Sequence, residues 1–195
     1  MDLNWIASKS LINCHTVGVD SVVFDDTSGK VVRAFIANEN HNLYFNSPWS
    51  NGPLSVALHA HHCDVTLKPI FGNVWNITPG GAMDGQRYAA YKYQSTITTG
   101  HGSFIRGDEG DDMLVRLREG IVRCSIKLPA AQVHSVCVLR GKLAAWWVYE
   151  GAEDPNYNGT CWSDDDLSNF DFAPLYKPMS VDYLKGVLNM IGLPR

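Results

Sequence analysis

The sequence predicts a single all-β barrel or sandwich. The prediction rests on a length of 195 residues, a 45% hydrophobic against 18% charged composition, and a succession of short β-branched and aromatic runs broken by turn residues. A chain of this length covers one such core, and its apolar content excludes a disordered protein. No repeat, low-complexity tract or linker divides it. Residues 1–195 therefore read as one domain, with a barrel over about 16–150 and a loop and helix over 151–195.

Taken in order, residues 2–13 predict a short N-terminal helix with Trp5, Ile6, Leu11 and Ile12 as its apolar members. Strands follow at Val17–Phe24, Val31–Ile36, Val56–His62, Val65–Ile70, Tyr88–Thr98, Ile121–Ile126, Val133–Leu139 and Ala144–Tyr149. Turn chemistry separates them at Asp26–Gly29, Phe71-Gly72-Asn73, Glu119-Gly120 and Arg140-Gly141-Lys142. Gly100–Asp112 reads as a polar loop, and 150–178 as a long ordered loop packed over the barrel, with a helix start at Ser163 before three acids. Trp146 and Trp147 are adjacent, so a strand turns one inward to the core and the other outward, onto an interface or beneath that loop. Over 180–191, an N-cap at Ser180, apolar Val181, Leu184, Val187, Leu188 and Ile191, and Gly192 and Pro194 as stops predict a C-terminal helix.

Charge and composition remove several functions. The net charge is -4 and no basic run occurs, so the electrostatic footprint of a nucleic-acid binder is missing. No apolar run approaches the roughly 20 residues of a membrane span, so no membrane partner is expected. Five cysteines, Cys14, Cys63, Cys124, Cys137 and Cys161, are an odd number without CxxC spacing, and the start Met1-Asp-Leu-Asn-Trp does not look like a secretion signal. These features predict a reducing, cytoplasmic setting. Cys63 and Cys137 then read as small buried apolar residues.

The densest group of metal-capable side chains is His59-Ala-His61-His62-Cys63-Asp64. On a strand, residues i and i+2 leave the same face about 6–7 Å apart, which lets two imidazoles converge on one ion at roughly 2.1 Å. His59 and His61 have that spacing, and so do His62 and Asp64 on the opposite face. Downstream, odd Val65 and Leu67 are apolar and even Thr66 and Lys68 polar, which turns His59 and His61 inward; upstream, Leu54, Val56 and Leu58 lie on the even phase, which needs a bulge or a strand buried on both faces. A third ligand must come from another strand. His134 fits because it shares its phase with Val136 and Val138 in an apolar run. The set His62, Asp64 and His134 is an alternative, with the composition of a two-histidine, one-carboxylate site. His15, His41 and His101 stand near turns and join neither set.

Gly52, His59-Ala-His61 and Gly72, followed by Pro129-Ala-Ala-Gln-Val-His134, resemble the two motifs of the cupin superfamily over about residues 45–150. The resemblance implies a double-stranded β-helix, or jelly-roll, barrel with His59, His61 and His134 as metal ligands. The carboxylate position of the family pattern falls near Val65, Ala131 stands where glycine is usual, and the long spacing between the motifs implies an insertion around 76–112. A three-His set with open positions suits Fe, Zn, Mn or Ni. The expected function is a small-molecule metalloenzyme, with dioxygenase chemistry leading. A non-catalytic ligand-binding or sensor module and a dimeric interaction protein are the alternatives, and a homodimer is expected in keeping with the family.

Overall fold

The computed structural model describes residues 1–27, 29–42, 58–96, 101–153 and 159–193. Helix α1 (Leu3–Lys9) is capped by Asp2, whose carboxylate accepts from the amides of Asn4 and Trp5 at 3.0 and 3.1 Å. The chain then runs β1 (Leu11–Ile12), β2 (Val19–Thr27), β3 (Lys30–Ala37), β4 (Leu58–His59), β5 (Cys63–Phe71) and β6 (Val74–Thr96). It continues through β7 (His101–Arg106), β8 (Met113–Ile121), β9 (Ile126–Leu128), β10 (Ser135–Val138), β11 (Ala144–Glu153), β12 (Thr160–Ser163) and β13 (Lys177–Pro178). Helix α2 (Val181–Met190) closes the fold. Ser180 caps it by accepting from the Tyr183 amide, and Gly192 ends it at a φ of 72°.

Strand order defines the architecture. One sheet contains the path β3-β11-β5-β9, all antiparallel. The other runs from β4 to β10 through the His59–His134 bridge, then to β6 and β8. Numbered along the chain, these eight strands lie first-eighth-third-sixth and second-seventh-fourth-fifth, which is the order of a jelly roll. The expected double-stranded β-helix class is therefore what the chain adopts. Strands β2, β1 and β13 widen the first sheet, and β7 and β12 flank the far half of β6.

Alternation along the strands separates inside from outside. Phe35, Ala37, Val65, Leu67, Val138, Trp146 and Val148 fill the barrel, while Ala34, Ile36 and Ala145 face outward under α1 and α2. Trp146 stacks on Phe35 at 5.7 Å inside the barrel. Trp147 packs outward on Phe24 at 5.0 Å, in the layer shared with the helices rather than beneath the 150–178 loop. Of the expected 150–178 loop, the start extends β11, β12 lies within it and 154–158 lie outside the described residues, while Phe172, Leu175 and Tyr176 do join the barrel interior. No helix follows Ser163; its hydroxyl accepts from the Asp165 amide within a bend.

Other boundaries depart from the sequence reading. The strand expected at Tyr88–Thr98 is the second half of the 23-residue β6, and Ile97 and Thr98 lie outside the described residues. A break between Gly81 and Gln86 divides β6. Its first half pairs with β10 and β8, and its second returns along β8 at Gln86–Tyr88 and then pairs with β7 and β12. Pro79 is tolerated because the β10 ladder stops at Ile77, leaving proline on a stretch bonded to β8. The strand expected at Ile121–Ile126 is mostly the connection between β8 and β9, whereas β8 itself was hidden by an exposed, charged face. The expected loop over Gly100–Asp112 contains β7. Among the described residues no helix is long and apolar enough to cross a membrane, and all five cysteines are free. Cys63 and Cys137 are fully buried, and burial pushes their thiols up to about 11 and about 12.

Candidate metal centre

Backbone pairing delivers the first two histidines. The amide of His59 donates to the His134 carbonyl at 2.8 Å and the His134 amide returns the bond at 2.9 Å. Residues that exchange both bonds lie directly opposite across an antiparallel pair, so their side chains leave the same face. Leu58, next to His59, packs on the opposite face with Ile77 and Cys137. That strand is thus buried on both faces, which accounts for the even-phase Leu58; Gly52, Leu54 and Val56 lie outside the described residues.

His61 arrives by a different route from the one expected. The pleat does not continue through it, because β4 ends at His59 and β5 begins at Cys63. Instead the His61 amide donates to the Ala130 carbonyl at 3.0 Å. Asp64 fixes the same turn by accepting from the Ala130 amide at 2.8 Å. The carboxylate of the alternative set is thus committed to the backbone, and His62 and Asp64 do not gather with His134.

The three rings of His59, His61 and His134 converge. Their centroids are 5.0, 5.2 and 4.9 Å apart, and one ring nitrogen from each lies within 4.8 Å of the others. His61 Nε2 and His134 Nε2 are 2.6 Å apart. Two ring lone pairs cannot face one another at that distance without a hydrogen shared between them. The other nitrogen of His134, Nδ1, lies 2.7 Å from Asn76 Oδ1, an acceptor only, so Nδ1 carries the hydrogen and Nε2 the free lone pair. An imidazole set with one ring already oriented from behind fits a transition metal.

Burial sets the protonation. His134 is fully buried and its pKa falls to about 2, first through desolvation and then through His59 and His61. His61 falls to about 3, first through desolvation, then through His59, His15, His62 and Arg33. Both are neutral at pH 7, the state a metal requires. For these groups the unfolded chain, with an ordinary value of 6.5, binds protons before the folded chain does. Their contribution to stability is present above 6.5 and is lost as the pH falls from there toward 3. The melting temperature of metal-free protein is therefore expected to drop across that window, and a flat profile in thermal melts would contradict these assignments.

Two residues outside the sequence-based set support the centre. Asn76 lies on β6 opposite Val136 of β10, which brings its amide behind His134. It also lines an open cleft of about 250 Å³ with Arg118 and Glu119. Asn76→Ala is expected to weaken metal affinity about 10- to 100-fold while leaving the three imidazoles in place, as measured by competition with a chromogenic chelator. His15 is the second. Its Nδ1 lies 3.1 Å from the Tyr176 hydroxyl, which is 3.1 Å from that of Tyr93, and its ring is 5.9 Å from Phe35. Asn13, His15 and Tyr176 all hold left-handed backbones, with φ of 55°, 68° and 54°, and the Tyr176 amide donates to the Asn13 carbonyl. No periodicity in the sequence announces that geometry. His41 plays a structural part, buried with Nε2 at 3.2 Å from the Leu139 carbonyl. His101 heads β7 opposite Thr96.

No family model matches the sequence, and no curated protein matches it either. Among solved structures, the chain is similar to hydroxypropylphosphonic acid epoxidase from S. wedmorenis at 10% identity and a TM-score of 0.38, covering 73% of this chain and 54% of that one. It is similar to a cupin-2 domain protein from Rhodospirillum rubrum at 9% identity and a TM-score of 0.38, covering 72% and 65%. It is also similar to the polyketide cyclase RemF from Streptomyces resistomycificus at 12% identity and a TM-score of 0.40, covering 80% and 78%. The chain thus spans about half the length of the epoxidase. Its own strand order and imidazole cluster define a jelly-roll barrel with a candidate three-histidine metal centre.

Proposed function

We propose that this chain is a cupin-type metalloprotein that holds one divalent transition metal, Fe, Zn, Mn or Ni, on His59, His61 and His134, and acts on a small molecule beside it. The convergence of three ring nitrogens within 4.8 Å supports this reading above all else. Three histidines leave coordination positions for a substrate or water, and a bound ion would activate dioxygen, if iron, or polarise a carbonyl, if zinc. Dioxygenase-type chemistry is the leading assignment. The chain's own residues keep His61 and His134 neutral by desolvation and orient His134 through Asn76. Phe35, His15 and Tyr176 stand together nearby as a mixed apolar and hydrogen-bonding surface, as a small-molecule site requires.

Elemental analysis of protein purified without added metal tests the proposal. About one transition-metal ion per chain is expected, with oxygen consumption by the iron form when substrate is supplied. A blank analysis, with folding unaffected by chelator, would instead leave a metal-free ligand-binding module. We also propose a cytoplasmic homodimer, which would sediment at about twice 21.6 kDa.

A further inference from the structure

We propose that Arg33 anchors an anionic oxygen group, a carboxylate or a phosphoryl, on the small molecule that the three-histidine centre takes. This rests on that centre being the binding site.

Arg33 shares its strand phase with Phe35 and Ala37, which fill the barrel, and its guanidinium carbon lies 6.0 Å from the Phe35 ring. That ring is 5.9 Å from His15. Arg33 Nη2 donates to Glu150 Oε2 at 2.9 Å. Arg33 lies opposite Val148 in the ladder, and Glu150 is opposite Val65. The guanidinium therefore leans one inward rung along the barrel, toward the end from which β5 leads back to His61.

The decisive atom is Nε. It is buried and has no hydrogen-bond partner among the described residues. A guanidinium presents five N–H donors in a fixed fork, and a buried charged donor without an acceptor is costly. Folded proteins rarely leave such an atom orphaned unless something else supplies the acceptor. Glu150 already balances the arginine's charge. Imidazole ligands add no negative charge, so a divalent ion at the centre would keep its full charge of about +2. The complementary ligand has an oxyanion, with one oxygen available to Arg33 Nε.

Calorimetric titration of pyruvate, inorganic phosphate and neutral acetamide into wild type, Arg33→Gln and Glu150→Gln tests the idea, each in metal-free and cobalt-loaded form. We expect at least one anion to bind wild type and to bind Arg33→Gln about 10- to 100-fold more weakly, with acetamide unaffected and cobalt stoichiometry unchanged. Pyruvate and phosphate separate the carboxylate from the phosphoryl source. Should circular dichroism show that Arg33→Gln does not fold, Glu150→Gln decides. It frees the guanidinium from its competing carboxylate and is expected to bind the same anion several-fold more tightly than wild type. Equal anion affinity for wild type and Arg33→Gln in both forms overturns the proposal, as does no anion binding to wild type, or no gain in Glu150→Gln where that variant decides. Failure of cobalt to load refutes the metal reading instead, and the metal-free titrations then decide the role of Arg33 alone.

Discussion

His134→Ala is expected to purify with essentially no transition metal. This imidazole carries the largest share of the site's geometry. It faces His61 Nε2 at 2.6 Å, exchanges two backbone bonds with His59, and is the ring held from behind by Asn76. Loss of one of three ligands leaves two partly exposed rings, His59 and His61, and removes the hydrogen bond that occupies Asn76 Oδ1. Metal content by plasma emission spectroscopy is expected to fall from about one ion per chain to below a tenth, a loss of affinity of at least two orders of magnitude. Retention of metal by the variant would mean that the ion sits elsewhere. The substitution also empties a fully buried volume, so stability of the metal-free variant is expected to fall by about 2 kcal/mol.

Gly72→Ala is expected to be among the most damaging single changes away from the histidines. Gly72 turns the chain between β5 and β6 with a φ of 73°, a region where a Cβ strains the backbone. An added Cβ would also strike the carbonyl of Leu143 and come within 2.8 Å of Ala144 Cα. Ala144 is fully buried at the start of β11, the central strand between β3 and β5, so neither partner can retreat cheaply. Strain and overlap together are expected to cost at least about 2 kcal/mol. For a chain of this size that lowers the melting temperature by about 4–8 °C or more. The damage reaches the metal centre as well, because β5 begins beside His61 and β6 carries Asn76. A thermal melt indistinguishable from wild type would show that the turn relaxes freely.

The sequence made the class of fold legible because hydrophobic alternation is a strong signal where one strand face is buried. Val65 and Leu67 against Thr66 and Lys68 announced the inward phase, and Ser180 and Gly192 bounded α2. The signal failed on strands with mixed environments. β8 presents Arg116, Arg118 and Glu119 and so showed no strand pattern, while Pro79-Gly80-Gly81 hid the first half of β6. The three metal-capable histidines were legible from spacing and phase, though for His61 the pleat was not the device used. A bond to Ala130, itself held by Asp64, aims that ring. Long-range contacts of this kind leave no periodic trace. For the same reason Asn76 was invisible as a site residue: it lies on β6, and only its register with β10 brings it behind His134.

X-ray absorption on zinc-loaded protein tests the central claim most directly, because it counts and identifies the ligand atoms rather than the ion. Three imidazole nitrogens at about 2.0–2.1 Å, with the outer-shell scattering of the rings, are predicted. A sulfur neighbour at about 2.3 Å, which would implicate a cysteine such as Cys63, or a shell containing a single imidazole, would contradict the assignment of His59, His61 and His134.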